Sequence, residues 1–119
     1  MPAGLVFVPS GGGGGSVPPT GSTNFTNASP SPLALKAFAV GDILTHVSVS
    51  VIAPFDPGFT VTIGYPAAPT AIFAAGEVDL QTVGVYETSV YRVSAVPETL
   101  TAYFAGISAA GSGTIFYQN

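Results

Sequence analysis

From Ile43 to Ala53 the side chains alternate with a period of two. Ile43, Thr45, Val47, Val49 and Val51 fall on one side, and Leu44, His46, Ser48, Ser50 and Ile52 on the other. That is the period of a β-strand and not of a helix. A strand with one apolar face cannot stand alone; it must be covered by a second layer. The rest of the downstream sequence offers that layer in pieces. Phe59, Val61 and Ile63 alternate with Thr60 and Thr62, and Gly64 closes the run. The intervening Pro54-Phe55-Asp56-Pro57-Gly58 has the chemistry of a turn, so the two runs are expected to pair as an antiparallel hairpin. Further short runs at 71–74, 78–80, 83–86, 90–95, 99–104 and 114–118 are separated by Gly76, Gly84, Pro97, Gly106 and the Gly111-Ser112-Gly113 triplet. Strands so spaced, without an amphipathic helix among them, predict an all-β, antiparallel, jelly-roll-like sandwich. Residues 33–40 are ambiguous: Leu33, Leu35, Ala37 and Ala39 alternate, yet the alanines favour helix.

Val47, Val49, Val51, Phe59, Val61, Ile63, Leu100, Ala102, Phe104 and Ile115 are the expected core, because each set shares one strand face. Ahead of this domain, assigned to residues 33–119, residues 1–32 read as an extended Gly/Pro/Ser-rich N-terminal arm. Gly11 to Gly15, Pro18-Pro19 and the polar run to Pro32 hold little to bury. Stretched out, the part from Pro9 to Pro32 would reach on the order of 70 to 80 Å. Leu5, Val6, Phe7 and Val8, bracketed by Pro2 and Pro9, form an apolar plug. Such a plug is suited to adding a strand to a partner, and it is the candidate partner-binding anchor.

Charge narrows the function. Only 7% of the 119 residues are charged, against 47% hydrophobic, so the exterior is dressed in Ser, Thr, Gly, Pro and apolar groups and invites association. Lys36 and Arg92 are the only basic residues, and the net charge is -4, which speaks against binding a phosphate backbone. There is no cysteine, hence neither a disulfide nor a thiolate metal site. No apolar stretch approaches the roughly 20 residues of a bilayer span, and Met1 to Pro9 lacks the charged region of a signal peptide. Asn24-Phe25-Thr26 and Asn27-Ala28-Ser29 match the glycosylation tripeptide, which matters only along a secretory route. The glycine run neither follows a strand nor opens a helix, so it is not read as a phosphate loop.

The segments Val47-Ser48-Val49-Ser50-Val51, Phe55-Asp56, Thr60-Val61-Thr62-Ile63-Gly64, Val78-Asp79-Leu80, Gly84-Val85-Tyr86, Leu100-Thr101-Ala102 and Ala110-Gly111-Ser112-Gly113-Thr114-Ile115 come in that order. The order resembles the small β-sandwich modules of tailed-bacteriophage virion proteins: head decoration proteins, head fibres and tail fibres. The resemblance spans about residues 43–118. It implies a homotrimeric structural protein of the virion, assembled in the bacterial host cytoplasm, whose partner is a major capsid or tail protein of the same particle. It implies no catalytic residue and no cofactor. Because nothing follows the module, a stand-alone accessory protein is expected more than a fragment of a long fibre.

Three constellations compete with that reading. Asp42, His46, Ser48 and Ser50 share a face, but neighbours along a strand face stand about 6.6 Å apart, too far for a nucleophile and its base. Asp56, Glu77 and Asp79 could supply hard oxygen ligands, yet no dense Asp/Asn/Gly loop carries them. Tyr86, Tyr91, Tyr103 and Tyr117 could line a carbohydrate-recognising surface of a fibre tip or adhesin, the alternative function. Arg92 is expected to bridge subunits through Glu87 or Glu98.

Overall fold

The computed structural model describes residues 20–119; the expected anchor at Leu5, Val6, Phe7 and Val8 lies outside the described residues. All regular elements among them are strands: β1 Thr20–Thr26, β2 Leu33–Phe38, β3 Ile43–Ala53, β4 Thr60–Tyr65, β5 Ala68–Phe73, β6 Gly84–Val93, β7 Glu98–Ala105 and β8 Ser112–Gln118. They make two four-stranded antiparallel sheets, ordered β1-β8-β3-β6 and β2-β7-β4-β5. The chain crosses from sheet to sheet at most connections, which makes the all-β antiparallel sandwich expected from the sequence.

Four local expectations are corrected. First, residues 20–26, assigned to the arm, form an edge strand whose register runs from Thr20 opposite Gln118 to Thr26 opposite Ser112. Phe25 is buried at its centre of contact with the core. Second, β3 and β4 are not a hairpin: the 54–59 turn carries the chain to the other sheet, and β4 pairs with β7 and β5. Third, the face of β3 is not uniform. A register shift against β6 between Leu44 and His46 turns Leu44 inward beside Val47, Val49 and Val51, while Ile43 and Thr45 are only half-buried. Fourth, Val78 and Leu80 are buried from a loop and not from a strand; the Leu80 carbonyl accepts the Phe55 amide at 2.8 Å. The ambiguous 33–40 segment resolves as β2.

The expected core is buried as its periodicity predicts, except that Phe104 is partly exposed. What periodicity missed is a ring of four phenyl groups closing one end of the sandwich. Phe25 stacks on Phe55 (5.6 Å) and on Phe104 (5.5 Å), and Phe59 stacks on Phe55 (5.2 Å) and on Phe104 (5.9 Å). The rings come from β1, from β7 and from the 54–59 turn, so the cluster ties both sheets to the crossing between them. Offset aromatic stacking of this kind contributes about 0.5 to 1.5 kcal/mol per pair beyond burial. At β8, the Tyr117 hydroxyl donates to the Leu35 carbonyl at 2.9 Å and meets Thr23 Oγ1 at 3.0 Å, pinning sheet to sheet a second time.

Candidate assembly surface

The outward side of the first sheet is nearly free of charge. Register aligns Ser22, Phe116, Ser48 and Glu87 in one row across β1, β8, β3 and β6, and Asn24, Thr114, Ser50 and Val85 in the next. Glu87 is the only carboxylate in these rows; it reaches back to His46, Oε1 to Nε2 3.1 Å. Strand β6 alternates without a break, its odd-numbered residues outward. Val85, Tyr91 and Val93 are therefore exposed, at 61, 77 and 49%. Ile52 and Val83 extend this apolar character at one end. Since β6 closes the sheet, its second edge is unpaired among the described residues.

The inward side of β6 carries Arg92, and it bridges sheets of one chain, not subunits. Its guanidinium donates to both oxygens of Glu98, Nε to Oε2 at 3.0 Å and Nη2 to Oε1 at 2.9 Å, and lies 4.2 Å over the Tyr65 ring. Ser94 Oγ donates to the same carboxylate at 2.8 Å. The Arg92 hydrogen bonds hold the Glu98 carboxyl below the usual carboxylate range, opposed by its burial. The Tyr65 hydroxyl is buried without a partner, and burial pushes that phenol up. Beside it, Tyr65, Pro66, Val96, Pro97 and Glu98 line a cleft of ≈ 280 Å³, below the about 300 to 1,000 Å³ of ordinary ligand sites.

Glu98 is charged in the native state at a pH where an exposed glutamate, near pKa about 4.3, begins to protonate. Its depressed value means stability is present above the unfolded pKa and is lost as pH falls through the folded one. Glu98→Gln is expected to cost about 1 to 2 kcal/mol at pH 7, discounted because Arg92 is partly in solvent, and less at pH 3. Urea unfolding of both proteins at the two pH values checks this.

The weighed constellations do not assemble. Asp42, Asp56 and Glu77 accept backbone amides of Ala39, Ala109 and Ala74 at 2.9, 2.7 and 2.6 Å, and Asp79 accepts the Gln81 amide and the Thr82 hydroxyl. With Glu87 and Glu98, every acidic side chain thus has a structural partner. Among the described residues no group of three His, Asp or Glu gathers for a metal. His46 faces Glu87, and His46→Ala is expected to change stability by less than about 0.5 kcal/mol, read from the urea midpoint. Tyr117 is buried, Tyr86 and Tyr103 are half-buried and Tyr91 is exposed; Tyr86 and Tyr91 lie on opposite faces of β6. The sequence signal for this surface is an apolar or aromatic residue at three of the five outward positions of β6, Val85, Tyr91 and Val93.

No family model and no curated protein matches the chain. Solved structures do. A chain in the acidic stable capsid structure of Helicobacter pylori bacteriophage KHP30 superposes with a TM-score of 0.68 at 14% identity, over 87% of this chain and 89% of its own. A chain in the capsid asymmetric unit of cyanophage Pam1 superposes with a TM-score of 0.57 at 18% identity, over 82% and 79%. At such identities the likeness is one of fold.

Proposed function

We propose that this protein is a structural component of a bacteriophage virion, of capsid decoration, cement or head-fibre type. The observation that carries the reading is the nearly end-to-end match of the whole sandwich to chains from two phage capsid structures. The nearly uncharged outer face and the exposed apolar side chains of β6 support it, since such surfaces are covered in assemblies. The protein assembles as a homotrimer and attaches through the segment that precedes β1, with Leu5, Val6, Phe7 and Val8 as the anchor on a major capsid or tail protein. Several arms engaged at once raise avidity through effective concentration. Its work is mechanical and needs neither cofactor nor catalytic residue.

The test is to purify the virions of the phage encoding this chain, identify their proteins by mass spectrometry and locate the labelled protein on the particle by electron microscopy. Copies on the head shell, lost when Leu5 to Val8 are replaced by serines, are expected. Absence from the purified particle would overturn the reading.

A further inference from the structure

Among the described residues each sheet of the sandwich ends in two edge strands, and unpaired edges are templates for another strand unless something blocks them. Three of the four edges carry a block or a polar character. Strand β2 bears Lys36 and a register break between Ala34 and Lys36. Strand β5 contains Pro69 and pairs irregularly with β4, and β1 presents Ser22, Asn24 and Thr26 outward. Strand β6 also shifts register, against β3 between Leu44 and His46, but its side chains alternate inward and outward along its whole length. It runs from Gly84 to Val93 with no lysine and no proline, and its outward side chains include Val85, Tyr91 and Val93.

We propose that the β6 edge pairs antiparallel with the β6 edge of a second copy, joining two first sheets into one continuous sheet across a two-fold axis. The strand's own side chains select the register. In an antiparallel pair, directly opposed residues share a face, so outward odd positions must oppose odd positions. Centring the axis on Glu87 would oppose two carboxylates and is unfavourable. Centring it on Ser89 places Val85 against the second copy's Val93, and Glu87 against its Tyr91. On the inward side, Tyr86 then faces Arg92 and Thr88 faces Val90. No like charges meet, both exposed valines are covered, and the small Ser89 sits on the axis. The edge is self-complementary in this register.

A single strand edge buries less than the roughly 1,200 to 2,000 Å² of a stable interface. The contact is therefore weak in dilute solution and strengthened wherever many copies are held together. It involves neither the arm nor the three-fold contacts of the proposed function, and it is measured on the isolated full-length protein, so either reading can fail without the other.

Because the chain has no cysteine, Ser89→Cys gives a single thiol on the proposed axis. Mild copper-phenanthroline oxidation is expected to link Ser89→Cys into dimers about tenfold faster than Ser22→Cys, an exposed site on the opposite edge of the same sheet. In the Ser89→Cys background, Val85→Lys with Val93→Lys opposes two lysine pairs and is expected to slow linkage about tenfold. Val85→Lys with Val93→Glu opposes unlike charges and restores it. Circular dichroism confirms that each variant is folded. Equal rates at Ser89 and Ser22, or slowing by both double variants alike, would overturn the pairing. A Val6→Cys, Ser89→Cys variant that closes an intrachain disulfide in preference to dimers would assign the edge to the chain's own arm and overturn it as well.

Discussion

A chain that begins at Leu33 is expected to lose cooperative folding, or to retain it only with a stability loss above about 4 kcal/mol. The deletion removes β1, whose backbone pairs with β8 along its length from Thr20 to Thr26. It also removes Phe25, one of the four stacked rings. Loss of a buried phenylalanine alone costs about 3 to 5 kcal/mol, and the deletion further strips the Tyr117 hydroxyl of Thr23 and Thr114 of its Asn24 partner at 2.9 Å. Strand β8 would become an exposed edge. A whole small domain has a margin of about 5 to 15 kcal/mol, so the truncate sits at or beyond its limit. A chain that begins at Thr20 keeps all these contacts and is expected to fold. Urea unfolding followed by circular dichroism compares the two; equal midpoints would mean that β1 contributes nothing to the sandwich.

That outcome marks where the sequence was legible. Strand β3 has the bounds its alternation predicts, because eleven residues of regular pattern outweigh any local ambiguity. Strand β1 was hidden because Phe25 is its only large apolar side chain and its partner strand lies at the far end of the chain, with |i−j| = 94 between Thr23 and Tyr117. A polar edge strand is locally the same as a linker; only the remote partner makes it a strand. The β3–β4 hairpin failed for a related reason. A Pro/Gly turn reverses the chain, but whether it returns within a sheet or crosses to the next depends on which strands already flank β3, here β8 and β6. Inversion at Leu44 follows from one register shift, which no periodicity reveals in advance. The Arg92, Glu98 and Tyr65 cluster was half legible: its ion pair was named from proximity in sequence, but its place between two sheets of one chain needs the fold.

Glycine substitutions separate backbone strain from ring packing at the phenyl cluster, and a large effect is expected at Gly111. Its φ is 130°, a conformation that costs an ordinary residue about 1 to 3 kcal/mol. A Cβ there would also fall on the Phe55 ring, and overpacking adds about 1 to 3 kcal/mol. Gly111→Ala is therefore expected to lose about 3 to 5 kcal/mol and to disturb the near-ultraviolet signal of the stacked rings. Gly41 has a φ of 91° but nothing near its Cβ position, so Gly41→Ala should show the strain alone, about 1 to 2 kcal/mol. Gly84 has neither the positive φ nor a neighbour, and Gly84→Ala should be neutral or slightly stabilising. Urea midpoints ordered Gly84, Gly41, Gly111 from highest to lowest are expected. If Gly111→Ala matches Gly41→Ala, Phe55 does not rest on the β8 approach, and the ring cluster cannot be what couples the 54–59 crossing to both sheets.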